Sequence, residues 1–152
     1  MAAQRWLVLW RHGEAEQSAG QDDRARALTR RGLGQARAAA GRIAALSPPP
    51  SVLVYSSAPR AAQTADCAAA ALALPDRARH AVDALYLASP QALRESLARH
   101  AGDAPCVLLV GHNPGLSELG AALDPGRAGV VLDTAAWWRI ALDDLMPWRN
   151  DT

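Results

Sequence analysis

The stretch Val107–Gly115, VLLVGHNPG, decides the fold class. Val107–Val110 is a continuous apolar run too short for a helix, and it reads as a strand covered on both faces. It stops abruptly at Gly111-His112. Asn113-Pro114 then have the chemistry of a helix start, Asn113 as N-cap and Pro114 at the first helical position of a helix to about Leu123. A buried strand that feeds directly into a helix is the repeating unit of an α/β protein.

The same unit recurs on either side. Trp6–Trp10 (WLVLW) is a short apolar run that ends at Arg11-His12-Gly13. Glu14–Arg26 is polar and loop-like, and Thr29 is placed to cap a helix from Arg30 to about Leu46, stopped by Pro48-Pro49-Pro50. Val52–Tyr55 reads as a strand, followed by Ser56-Ser57-Ala58 and a helix from Pro59 to about Leu74. His80–Leu85 reads as a short strand, and Ser89-Pro90 opens a helix through about Arg99. Val130–Leu132 and Ala136–Leu142 read as late strands, and the tail after Leu145 as loose. The alternation predicts an α/β fold: a three-layer α/β/α sandwich with a mostly parallel central sheet, built as one domain over residues 1–152.

Composition bounds the chemistry. Half of the 152 residues are hydrophobic and the net charge is +1, so no bulk charge draws the chain to nucleic acid or a membrane. All 16 basic residues are arginine, which excludes lysine Schiff bases and a Walker lysine. Cys67 and Cys106 form no metal or redox motif and fit a reducing compartment. The N-terminal apolar run is too short for a signal peptide or a membrane span. A soluble, cytoplasmic protein is expected, of unspecified oligomeric state.

In a parallel sheet, ligands bind beyond the carboxyl ends of the strands. Three strand exits carry unusual residues: Arg11-His12-Gly13-Glu14, Ser56-Ser57-Ala58-Pro59-Arg60 and Gly111-His112-Asn113-Pro114-Gly115. Gathered at one edge, they place two histidines and two arginines in one pocket with helix N-termini behind them, a setting for an anion. Arginines repel a metal cation, so neither metal nor cofactor is expected. Gly111–Gly115 lacks the spacing and lysine of a P-loop, and Gly115-Leu116-Ser117-Glu118-Leu119 lacks the last glycine of a hydrolase elbow. Phosphoryl transfer through a nucleophilic histidine fits every residue present.

Taken together the motifs resemble the histidine phosphatase superfamily, with its phosphoglycerate mutase-like fold, and within it the small SixA-type phosphohistidine phosphatases. Arg11-His12-Gly13 matches the R-H-G signature, Arg26-Ala27-Leu28-Thr29-Arg30-Arg31-Gly32 an R-x-L-T-x-x-G element, and Ser56 to Thr64 an S-x-x-x-R-A-x-Q-T element. Gly111–Gly115 matches the second histidine motif. The resemblance implies that His12 is the nucleophile, that Arg11, Arg60 and His112 surround the phosphoryl oxygens, and that Arg26 is a further phosphate-binding cation. Gly13 and Asn113 belong to the same phosphate-binding set. His12 must attack as neutral imidazole, whereas His112 is expected to serve best when protonated.

Larger relatives carry an acidic proton donor between the Arg60 and His112 elements. Here that interval is compact. Asp83 and Glu14 are the candidates for the donor. An alcohol leaves poorly without a proton, but phosphohistidine releases an imidazole whose pKa is about 6.5. The expected substrate is therefore phosphohistidine on a signalling or phosphotransfer protein. The alternatives are a small-molecule phosphomonoesterase of the same fold and a non-catalytic phosphate-binding module.

Overall fold

A computed structural model describes residues 4–18, 20 and 22–142. Five strands form one sheet: β1 (Arg5–Arg11), β2 (Val52–Ser56), β3 (Arg79–Val82), β4 (Cys106–Gly111) and β5 (Trp137–Leu142). Their order is β3-β2-β4-β1-β5. All neighbours run parallel except β5, which lies antiparallel on the outer edge of β1. The helices are α1 (Arg30–Ala44), α2 (Pro59–Leu72), α3 (Pro90–His100) and α4 (Gly115–Leu123). The chain thus has the mostly parallel α/β sandwich expected.

The period-two alternation of a strand divides its side chains between the two layers. Leu7 and Leu9 of β1 and Val107 and Leu109 of β4 face Leu93, Leu97, Leu116 and Leu119 of α3 and α4. Val8, Trp10, Leu108 and Val110 face the alanine stripes of α1 and α2, Ala36, Ala39, Ala40, Ala61, Ala65 and Ala68. The capping signals work as read: Thr29 Oγ1 accepts from the Gly32 N–H at 2.9 Å, and Ser89 Oγ from the Ala92 N–H at 3.2 Å.

Three expectations need correction. Val130–Leu132 is not a strand. The Leu132 N–H donates to Ser117 Oγ, and the Leu132 carbonyl accepts from Asn113 Nδ2 and Arg11, so its backbone is bonded to side chains instead of a neighbouring strand. Helix α4 begins at Gly115, one residue late, because Asn113 Oδ1 accepts from Ser117 N–H and Oγ and ties the turn down instead of capping it at Pro114. His80–Leu85 splits into β3 and a single 3-10 turn, Asp83–Leu85. The tail after Leu145 lies outside the described residues. Among those residues, no helix is long and apolar enough to cross a membrane.

The chain leaves β1 through α1 on one face and β4 through α4 on the other. These two strands are adjacent, and the crevice between their carboxyl ends is where such a sheet binds ligands. Register places Arg11 opposite Gly111, so the next residues outward are His12 and His112.

Candidate active site

An open cleft of about 510 Å³ lies at that crevice. Arg11, His12, Arg26, Arg60 and His112 line it, together with Gly13, Glu14, Asn113 and an unforeseen acid, Asp23. The two histidine rings stand 5.2 Å apart, centre to centre.

His12 is held by its turn. Its Nδ1 lies 2.8 Å from the Gly13 carbonyl oxygen. A carbonyl only accepts, so Nδ1 carries the proton and Nε2 the lone pair. Arg60 Nε donates to that Nε2 at 3.3 Å. The turn in turn is fixed by motif residues: the Gly13 N–H donates to Thr64 Oγ1 at 3.2 Å, and Thr64 Oγ1 donates to the Arg60 carbonyl at 2.8 Å. Gln63 Oε1 accepts from the Leu28 N–H at 2.7 Å and holds the Arg26 loop.

Both motif glycines sit where the His12 turn meets the start of α1. A Cβ on Gly13 would stand 2.5 Å from the Gly32 carbonyl oxygen, and one on Gly32 would run into the Glu14 carbonyl. Gly32→Ala is expected to push the turn off α1, costing about 1–3 kcal/mol and at least tenfold in kcat. Denaturant unfolding and steady-state kinetics would check it; wild-type kcat would show that the contact does not position His12.

Arg60, at the start of α2, is 1% exposed. Its NH2 pairs with Asp23 Oδ2 at 3.3 Å and its NH1 donates to the Asp23 carbonyl at 2.9 Å. Arg26 pairs with Asp23 Oδ1 at 3.0 Å and donates to the Glu16 carbonyl at 3.1 Å. Arg11 donates to the Leu132 carbonyl at 3.2 Å, and its buried Nε has no partner among the described residues.

His112 is 3% exposed, with Nε2 2.8 Å from Ser56 Oγ and a buried Nδ1 that has no partner among the described residues. Burial, then His12 and Arg60, push its pKa down to about 3. It is therefore a neutral ring at physiological pH, not the imidazolium expected, because burial disfavours the charged ring and the neighbouring His12 and Arg60 add to that. Neutral imidazole still offers one N–H, and where the Ser56 hydroxyl donates to Nε2 that N–H is on Nδ1.

Burial also pushes His12 down to about 4, aided by Arg60, Arg11 and Arg26 and opposed by the Gly13 carbonyl. His12 is unprotonated at neutral pH, the state expected of it from the sequence. Its folded pKa lies below the unfolded value of 6.5. The unfolded state therefore binds more protons in that window, and stability falls as pH drops from 6.5 to about 4. Denaturant midpoints across this range should decline, and less steeply in His112→Asn, which removes one of the two buried rings. A flat profile would contradict neutral buried histidines.

The acids divide clearly. Asp83 is 91% exposed on its side chain, does not line the cleft, and bonds Ser57 Oγ and Arg24. Glu14 lines the cleft but accepts from Thr29 Oγ1 at 3.2 Å and pairs with Arg31 at 3.6 Å. Asp23 accepts from the Tyr86 hydroxyl, and this bond, with Arg60 and Arg26, holds its carboxyl below the usual range. Asn113 spends its amide on Leu132 and Ser117. Asp23 and Tyr86 carried no motif; the one available signal was an acid three residues before Arg26 in a polar loop. Among the described residues no group of three or more His, Cys, Asp or Glu could hold a metal ion.

The family described as histidine phosphatase superfamily (branch 1) matches residues 7–85, more than half of the chain. This chain belongs to the histidine phosphatase superfamily. The match carries the Arg11, Arg26 and Arg60 elements; the structure adds His112, outside it, to the same cleft. A candidate SixA phosphohistidine phosphatase from Agrobacterium tumefaciens shares the fold at 23% identity, with a TM-score of 0.79 over 91% of this chain and 92% of that one. A candidate SixA phosphohistidine phosphatase from Nakamurella multipartitia is 32% identical, with a TM-score of 0.66 over 80% and 67%. A mycobacterial glucosyl-3-phosphoglycerate phosphatase has the fold at 19% identity, with a TM-score of 0.69 over 90% of each chain. No curated protein sequence matches the chain.

Proposed function

We propose that this histidine phosphatase hydrolyses phosphohistidine on a signalling or phosphotransfer protein. The observation that carries the reading is the state of the acids. Glu14 and Asp23, the two carboxylates lining the cleft, are both engaged as acceptors, and Asp83 lies outside it. Such a site has no obvious proton for an alkoxide, and a phosphohistidine ring needs none.

The bookkeeping closes without a general acid. His12 Nε2 attacks phosphorus, and the P–N bond of the substrate breaks. Its electron pair returns to the substrate ring, which carries a proton on its distal nitrogen and departs as neutral imidazole. His12, with Nδ1–H held by Gly13, becomes the phosphorylated imidazolium. Arg11, Arg26, Arg60 and His112 Nδ1–H hold the oxygens as charge spreads over them. Water then attacks from the cleft, the bond to Nε2 breaks, and both water hydrogens leave with dihydrogen phosphate. His12 regains its neutral form. The open mouth of the cleft suits a histidine presented on a protein surface; Leu87 adds an exposed apolar side chain at the cleft, and Val130 and Val131 add two at a neighbouring pocket that shares Asn113.

The test is phosphate release from a phosphohistidine peptide and from an aryl phosphate. We expect kcat/KM for the peptide to exceed that for the aryl ester at least a hundredfold. The cleft volume would also accept a small phosphate ester, and faster turnover of an alkyl monoester than of the peptide would favour that reading. Phosphate binding without release from any substrate would point to a binding module.

A further inference from the structure

The cleft holds a carboxylate that the chemistry at His12 does not use. We propose that Asp23 forms the leaving-group side of the site and selects a phosphohistidine whose ring is bound protonated and departs as neutral imidazole over a substrate whose oxygen departs as an anion. The inference rests on the phosphohistidine reading and names what enforces it.

The geometry starts at Arg60. Its Nε lies 3.3 Å from His12 Nε2 and its NH2 3.3 Å from Asp23 Oδ2. These two N–H groups form one edge of the guanidinium, the fork that grips an oxyanion side-on. A phosphoryl group seated there has the nucleophile at one end of the fork and the Asp23 carboxylate at the other. At attack, phosphorus stands about 3–3.5 Å from Nε2, and the leaving atom lies one bond further out, toward the Asp23 side of the cleft. Asp23 lines the cleft and its side chain is 46% exposed, so an incoming ring can reach it.

The carboxylate is built to stay charged. Arg60 and Arg26 pair with its two oxygens, and the Tyr86 hydroxyl donates to it. Tyr86 is itself fixed, edge-on to His112 at 5.5 Å and beside the Arg60 guanidinium at 5.6 Å. An ionised carboxylate has no proton to give and can only accept. It matches the distal N–H of a phosphohistidine ring, and it favours the protonated ring, the form that leaves without help. It opposes the negative charge that grows on a departing alkoxide, phenoxide or carboxylate-bearing alcohol. Two of the three cleft arginines are partly neutralised by the same group, which weakens capture of small dianionic esters.

Substitution of one oxygen separates this role from a merely structural one. Asp23→Asn keeps the shape and removes the charge. We expect kcat/KM for a phosphohistidine peptide to fall at least tenfold while that for an aryl phosphate rises, so the preference shrinks by more than either change alone. The retained aryl activity reports a folded variant. Asp23→Glu, which keeps the charge, should keep most of the preference. If Asp23→Asn lowers both substrates by the same factor, Asp23 only props Arg60 and the proposal is overturned. If wild type cleaves the aryl ester and leaves the phosphohistidine peptide intact, the proposed function fails and takes this inference with it.

Discussion

His12→Ala is expected to abolish turnover, with kcat down by about 10⁴–10⁶, the scale seen when a covalent nucleophile is removed. The turn that presents Nε2 is otherwise kept, since Gly13 still bonds Thr64 and Arg11, Arg26, Arg60 and His112 still line the cleft. The variant should therefore bind phosphate near the wild-type affinity while failing to release product. Acid-stable traps are unsuitable for a phosphoramidate, so the intermediate is best sought by rapid quench into alkali with labelled substrate. Label on wild type and none on His12→Ala would establish the nucleophile. Residual turnover within tenfold of wild type would mean that water attacks the substrate directly.

Arg60→Met is expected to separate activity from stability. The guanidinium donates to His12 Nε2, and a fixed arginine on a transferring phosphoryl group contributes about 10³–10⁵. We expect kcat/KM to fall by about 10³. Stability should move the other way. Arg60 is buried in the cleft that Arg11, Arg26 and both histidines also line, and its carboxylate partner Asp23 is half-exposed. Removing one partner of a buried pair is costly when it strands the other charge in the interior; here the partner left behind is half-exposed and is not stranded. Asp23 retains Arg26, Tyr86 and water. Calorimetry should show an unchanged or higher Tm, and the His12 pKa should rise because one of the charges depressing it is gone. A sharp loss of Tm would make Arg60 a structural strut.

How much was legible follows from where each signal is stored. The apolar runs at β1, β2 and β4, the caps at Thr29 and Ser89 and the prolines at helix starts are local, and each is decided by a few neighbouring residues. The four motifs were legible because their residues are close in sequence, and parallel topology brings their exits to one edge. Val130–Leu132 misled because β-branched residues favour strands only where a neighbour offers a ladder; here Ser117, Asn113 and Arg11 take the backbone groups. Trp137 and Trp138, neighbours in sequence, pack on opposite layers of the sheet, each half-buried.

The sequence by itself determined the α/β class, the superfamily and the arginines and histidines that the fold gathers in one cleft. Only the tertiary structure decided their states. It set the protonation of His12 and His112, because burial among arginines, and not residue type, pushes both rings down to about 4 and 3. It also chose among the acids. Asp83 was the acid nearest the expected position in sequence, but its side chain is solvated and tied to Ser57. Asp23 came forward because a loop 37 residues upstream in sequence folds over Arg60. Charge and proximity act through space, and a carboxylate's role depends on which cations the fold sets against it.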